Sequence, residues 1–375
     1  MIAAGETSGE LYGALLAEAL KKKVPHLRVI GIGGERMQAA GVELLSGIAS
    51  AFGLTEALSS LKTLKETFRK AADAFRTCRP SVLILIDYPD FNLRLAAEAR
   101  KQNIPVLYYV SPQVWAWRQG RVKKIAKLVD RMAVILPFEE QIYRDTGLAA
   151  EFVGHPILDE MRQIQPGSKT LKAELGLDPD VPLISLLPGS RPHELERLLP
   201  LLLDTVKLSR HDLPGYQYCL PFAPNTDLIR HKALIDALQH EGVRINKGKS
   251  LKTLAASDYA VIASGTATLQ AVLIGLPLVV VYKVFPLTFW LAKRVVKVKH
   301  ASLVNILSKR EVVRELLQKD ATAENIVLEL KRMMSDSAYR AEMKKAYDDV
   351  RKVFAERHAS DRVSEMVIEM AGWKK

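Results

Sequence analysis

The sequence predicts an α/β protein of two doubly wound domains facing each other across a cleft, followed by helices. Three observations lead there. Short apolar, β-branched runs alternate with helical patterns, and most lack the two-residue alternation of a half-exposed strand. The alternation breaks once, after Gly154-His155-Pro156, and restarts at Leu183 with a new strand, glycine loop and helix. Beyond about residue 310 the pattern is helical only. Alternating strands and helices make parallel sheets with right-handed crossovers, and 375 residues suit two domains of roughly 150 each.

The strands expected in the first half are Ile2–Ala4, Val29–Ile32, Val82–Asp87, Val106–Val110 and Met132–Leu136. In the second half they are Leu183–Leu187, Gln217–Pro221, Tyr259–Ala263 and Leu278–Tyr282. Expected helices include Leu11–Lys22, Phe91–Lys101, Glu194–Leu208 and Thr266–Ile274, then Glu324–Met334, Ala338–Phe354 and Ser360–Met370. The domains are placed at residues 1–160 and 168–350. One apolar run, residues 271–292, is long enough to span a membrane, but Gly275, Pro277, Lys283 and Pro286 punctuate it, and it reads more simply as a buried strand. The opening residues run straight into a turn without the basic start of a signal peptide.

Composition narrows the function. With 48% hydrophobic and 26% charged residues the chain is neither disordered nor fibrous. The 54 Lys and Arg against 42 Asp and Glu leave a formal charge of +12, which points to an anionic partner. Cys78 and Cys219 sit outside any CxxC or His cluster, which excludes a disulfide framework and a zinc site and fits a reducing cytoplasm. An aromatic content of 7%, without aromatics interleaved among basic residues, argues against nucleic acid.

Ligands of such sheets bind at strand-to-helix loops. In LLPGSRPHELE, Gly189 and Ser190 end a strand and Arg191 opens a helix, offering N–H groups and a guanidinium to an anion; a plain glycine turn is the other reading. In VIASGTATLQ, Ser264, Gly265 and Thr266 repeat the arrangement, and Gln270 follows one turn later, either facing a ribose or lying on the helix surface. Two such loops in one domain suggest a nucleotide diphosphate. Neither GxxxxGK[ST] nor GxGxxG occurs, so a P-loop and a dinucleotide cofactor are excluded. In LILIDYPDFN, Asp87 ends an apolar strand, as a general base would, or as a turn aspartate would; Asp90 reads as a helix N-cap. No third ligand accompanies this pair, so no metal is expected. Trp115 and Trp117 lie in a loop with Arg118, Arg121, Lys123, Lys124 and Lys127, suited to a sugar and phosphate or to packing and a solvated face. Leu54, Leu58, Leu61, Leu64 and Phe68 form an apolar helical stripe containing Lys65, which faces either the core or a membrane interface. The basic segment 286–300, PLTFWLAKRVVKVKH, is a second candidate for anionic lipid. Of the histidines only His155 stands out, for packing or hinge geometry.

Taken in order along nearly the whole chain, GETSGE, IDYPDFN, YYVSPQVWAWRQGRVKKI, LPFE, FVGHP, LLPGSR, SGTATLQ, FWLAKRVVK and NILSKREVVRELL resemble the lipid-A-disaccharide synthase family. The resemblance implies two Rossmann-like domains of GT-B type, with residues 351–375 crossing back onto the first. It implies an inverting glycosyltransferase that joins UDP-2,3-diacylglucosamine to 2,3-diacylglucosamine 1-phosphate. The products are the β-1′,6-linked disaccharide 1-phosphate of lipid A biosynthesis and UDP, with neither cofactor nor metal. By matching position Asp87 is the base, and Arg191, Ser190 and Thr266 stabilise the departing diphosphate. Gln270 and Asn305 hold the nucleotide or donor sugar, Ser8 and Gly9 line the cleft, and the leucine stripe meets acyl chains or the inner face of the inner membrane. Glu10, Gln270 and Val304 depart from the family pattern, where Asp, Glu and Pro are usual, and the first strand is short. A UDP-sugar 2-epimerase of the same architecture and a non-catalytic basic binding protein are the rival readings.

Overall fold

The computed structural model describes the chain except residues 48–56, 116–118, 163, 165, 168, 225, 285–298, 356 and 374–375, and except the side chains of Thr7, residues 57–61 and Gln119. It divides into two compact units, Met1–Arg162 with Glu356–Lys375, and Gln163–Ala355.

In the first unit the order is β1 (Ile2–Ala4), α1 (Thr7–Lys23), β2 (Ile30–Ile32), α2 (Glu35–Ala39), β3 (Glu43–Ser46), α3 (Ala57–Thr77) and β4 (Leu83–Ile86). It continues with α4 (Pro89–Lys101), β5 (Val106–Tyr109), α5 (Val122–Leu128), β6 (Arg131–Val134), α6 (Glu139–Arg144), β7 (Ala149–Phe152) and α7 (Ile157–Met161). All strand pairings are parallel, in the order β3-β2-β1-β4-β5-β6-β7. The central strands LILI and VLYY are buried along their whole length, because helices cover both faces.

The second unit runs α8 (Lys169–Glu174), β8 (Leu183–Leu187), α9 (Pro192–Asp212), β9 (Gln217–Phe222), α10 (Lys232–His240), β10 (Val243–Lys247) and α11 (Ser250–Ala256). Then come β11 (Tyr259–Ala263), α12 (Thr266–Ile274), β12 (Leu278–Tyr282), α13 (Leu303–Ser308), β13 (Glu315–Leu317), α14 (Ala323–Ser335) and α15 (Ser337–Phe354). Its sheet is again parallel, in the order β10-β9-β8-β11-β12-β13.

Four strands go beyond the sequence expectation: β3, β7, β10 and β13, the last of them in a stretch beyond residue 310 where no strand is expected. They are the outer strands of the two sheets. An outer strand is covered less, and ELLS, AAEF and VRINK mix exposed polar residues with few buried ones, so the continuous apolar run is missing.

The last helix, α16 (Ala359–Ala371), belongs to the first unit. Val363, Met366 and Val367 are buried, and α16 packs on α1. Around that apolar face Lys23 pairs with Glu365 at 3.1 Å and Arg131 with Glu369 at 2.6 Å. Arg362 grips both oxygens of Glu151, at 2.5 and 2.9 Å.

The apolar stripe resolves only in part. Leu54 lies outside the described residues, as do the side chains of Leu58 and Leu61. Farther along α3, Thr67, Ala71, Ala74 and Phe75 are buried, Leu64 and Phe68 are half-buried, and the Phe68 ring meets Phe91 of α4 edge-on at 6.0 Å. Phe68 thus has a packing partner within the unit while remaining half-buried. Lys65 is exposed beside the buried face rather than within it. The run near 271–292 contains the end of α12 and buried β12, and no described helix is long and apolar enough to cross a membrane.

Replacing Arg362 with Met is expected to lower unfolding stability by about 1 kcal/mol at low salt, since the pair is bidentate but about a third exposed. Urea titrations in low salt and at about 1 M salt check this, because screening should shrink the difference.

Candidate functional site

Each parallel sheet reverses its winding at one place, between β1 and β4 in the first unit and between β8 and β11 in the second. In parallel sheets the loops leaving two such strands run to opposite faces, which is where ligands bind.

In the first unit the loops are Gly5–Glu6 and Asp87–Tyr88. Ser8 and Gly9 fall in the first turn of α1, where Gly9 packs against Ile86. Gly5 lies so close to the Tyr88 ring that a Cβ there would overlap it. Asp87 is half-buried just past β4, and both it and Tyr88 adopt left-handed backbone, with φ of 49° and 46°. Val110, just past neighbouring β5, has φ of 67°. Such conformations cost about 1–3 kcal/mol each in residues other than glycine, and here they gather at one sheet edge. Asp90 is not the N-cap that the sequence suggested. That position belongs to Tyr88, and Asp90 instead pairs with Arg121 at 2.7 Å.

Beside this edge lies a residue not singled out from the sequence. Glu139, which opens α6, is buried, accepting from Trp115 Nε1 and from the Leu136 N–H, each at 3.1 Å. Burial pushes its carboxyl up to about 8, against the downward pull of N–H donors from Leu136, Trp115 and Ile135. The Trp115 ring is half-buried and meets Phe138 edge-on at 5.2 Å, so it packs the loop; Trp117 and Arg118 lie outside the described residues. Lys123, Lys124 and Lys127 form the exposed face of α5 over buried Ile125. His155 is buried against Tyr12, accepts from the Ile157 N–H and is held neutral, its value lowered to about 3 by burial.

In the second unit the β8 loop is built around an internal anion. Glu194 Oε2 accepts from the Ser190 and Arg191 N–H groups at 3.0 and 3.1 Å, so these donors are already occupied. Gly189 has φ of 95°, and a Cβ there would run into the Glu194 carboxylate, so glycine is required twice over. The Arg191 guanidinium is exposed, with Nη1 3.8 Å from Glu194. At the β11 loop the N-cap of α12 is Gly265, which has no side chain to cap with and is exposed. The Ser264 hydroxyl donates to the Ala301 carbonyl at 2.7 Å; Thr266 and Gln270 are half-buried on α12.

Asn305 departs from its expected role. It is fully buried, its Oδ1 accepts from the Val312 and Val313 N–H groups, and its Nδ2 donates to the Val313 carbonyl and to Glu315. With its amide fully engaged it braces the segment instead of touching a nucleotide. Glu315 also accepts from the Ala301 and Ser302 N–H groups at 2.8 and 2.9 Å, tying this brace to the carbonyl that Ser264 reaches.

Residues 1–369 match the family described as lipid-A-disaccharide synthetase. The chain belongs to the lipid-A-disaccharide synthase family. The family member of Syntrophus aciditrophicus is 41% identical over 370 residues, covering 98% of this chain and 96% of its own. That of Myxococcus xanthus is 41% identical over 375 residues, covering 99% and 97%. Among solved structures, a UDP-GlcNAc 2-epimerase from Neisseria meningitidis bound to UDP-GlcNAc superposes with a TM-score of 0.68 at 11% identity, covering 98% of each chain. The calicheamicin glycosyltransferase CalG4 gives 0.60 at 13%, covering 99% of this chain and 97% of its own. These likenesses establish a GT-B fold. The synthase family makes the protein a hexosyltransferase of lipid A biosynthesis, and the epimerases share the architecture alone. Of the departures from the synthase pattern, Glu10 is put to use: its Oε1 accepts from the Arg36 N–H at 2.8 Å and caps α2. Val304 is fully buried in α13.

Glu139 sets a pH dependence. Unfolded, its carboxyl titrates near 4.5; folded, near 8. Between those values the folded protein holds a proton that the unfolded chain has lost, so this group's contribution declines as pH rises, by about 1.4 kcal/mol per unit. Glu139→Gln removes that decline. Urea unfolding at pH 5.5 and pH 8 should show the variant gaining on the parent as pH rises; parallel profiles would contradict a buried, protonated Glu139.

Proposed function

We propose that this chain joins UDP-2,3-diacylglucosamine to 2,3-diacylglucosamine 1-phosphate, giving the β-1′,6-linked disaccharide 1-phosphate and UDP with inversion. The reading is supported by family membership, and one observation carries it: the half-buried carboxylate of Asp87, held past β4 at the reversal of the first sheet. In a single displacement the acceptor's 6-hydroxyl oxygen attacks the anomeric carbon and the bond from that carbon to the diphosphate oxygen breaks. The hydroxyl proton passes to Asp87, and the electron pair leaves with UDP. The leaving diphosphate is met by the Arg191 guanidinium and by the amino end of α12 at Gly265 and Thr266, with Ser264 and Gln270 nearby. Ser190 contributes by shaping the loop, since its N–H is committed to Glu194.

Asp87→Asn is expected to lower turnover about 10²-fold or more while UDP affinity stays unchanged. Arg191→Ala should weaken UDP binding and slow transfer together. UDP release must depend on the acylated acceptor; release that ignores it would defeat the transferase reading.

Both sugars carry acyl chains, so the reaction is proposed to occur at the inner face of the inner membrane. Leu54, Leu58 and Leu61, together with basic segment 286–300, are the proposed contacts with anionic lipid. Paired Leu58→Ser and Leu61→Ser changes should reduce cosedimentation with anionic vesicles at unchanged thermal stability. A fall in stability instead would mark both residues as core.

A further inference from the structure

Asp87 and Tyr88 form two consecutive left-handed residues without a glycine, which an unsupported loop would relax. What opposes relaxation comes from two different elements and meets at one atom. Tyr108, fully buried on β5, donates its hydroxyl to the Asp87 carbonyl at 2.6 Å. Asn92, buried in α4, donates Nδ2 to the same carbonyl at 2.7 Å and to the Ile86 carbonyl at 3.2 Å. The Asn92 N–H also donates to the Tyr88 carbonyl at 3.0 Å. We propose that Asn92 and Tyr108 are positioning residues that clamp the left-handed backbone of Asp87 and thereby aim its carboxyl group. The proposal rests on the reading of Asp87 as the base.

Turning residue 87 to ordinary extended or right-handed backbone would swing its carbonyl away from both donors. Both would lose that acceptor, and for the buried phenol the loss outweighs the hydrogen bond itself, while Asn92 keeps the Ile86 carbonyl. The clamp therefore holds what torsional preference alone would release. Because the direction of Cβ follows φ and ψ, releasing the clamp re-aims the side chain as well as the main chain. A pair buried only for packing needs acceptors of any kind. These two converge on the main chain of the one residue whose side chain is assigned the proton.

The test is a double-mutant cycle on the full-length enzyme with its two acylated substrates. Tyr108→Phe and Asn92→Ala are each made alone and combined with Asp87→Asn. KM, kcat, UDP affinity and thermal midpoint are measured for every variant. Each single variant is expected to lose about tenfold in kcat, with KM and UDP affinity within about twofold of the parent. Combined with Asp87→Asn, neither should lower the residual rate further, because there is no longer a base to aim. The same fold-loss in both backgrounds would reveal a merely structural role and overturn the proposal, and so would full rate in both single variants. If Asn92→Ala fails to fold, the Tyr108→Phe cycle decides, since it removes one oxygen only. An Asp87→Asn enzyme with full turnover would sink the base assignment and the clamp with it. An impaired Asp87→Asn beside full-rate clamp variants would sink the clamp alone.

Discussion

The reversal of winding in each parallel sheet governs the rest of this molecule. Parallel strands send all their outgoing loops to one edge, and only where winding changes direction do two adjacent loops part instead of crowding together. In the first unit that place brings Gly5, Ser8 and Gly9 beside Asp87; in the second it brings the Gly189–Arg191 turn beside Ser264–Thr266. Chemistry is assigned to these loops because ligands of parallel sheets bind at such reversals, and the strands beneath them are buried.

A recurring device supports irregular turns in both units. Glutamates lying close behind them accept main-chain N–H groups: Glu139 from Leu136, Glu194 from Ser190 and Arg191, Glu315 from Ala301 and Ser302. A carboxylate can take several donors at once and outlast exchange with water when buried, so it fixes irregular backbone that no sheet or helix would otherwise hold. For Glu139 the burial is deep enough to favour the neutral form. For Glu194 it means that the N–H groups expected to take an anion at the start of α9 are already occupied by the protein itself.

The inner strands were legible because burial on both faces demands unbroken apolar runs such as LILI and LVVVY. The outer strands were not, because Glu43, Glu151 and Arg244 satisfy a solvated edge as readily as they would a loop. Candidate loops were found from glycine and hydroxyl residues at strand ends, yet residue type does not disclose partners. Asn305 reads as a ligand-binding amide and turns out to be consumed by its own segment, while Glu139 and Asn92 look like ordinary polar residues in LPFE and PDFN. The left-handed turn at Asp87 had no glycine to flag it. The donors that meet its carbonyl lie on α4 and on β5, the latter twenty-one positions away along the chain.

The attachment of α16 to the first unit has a consequence for biosynthesis. A ribosome delivers the chain from its amino end, and domains ordinarily fold as they emerge. Here the second unit is one uninterrupted stretch, whereas the first is completed by a segment encoded after it. Glu151 and Arg131 emerge more than two hundred residues ahead of Arg362 and Glu369. The half that carries the proposed base is thus sealed last, and a message cut short near its end yields a complete second unit and a first unit without its last helix.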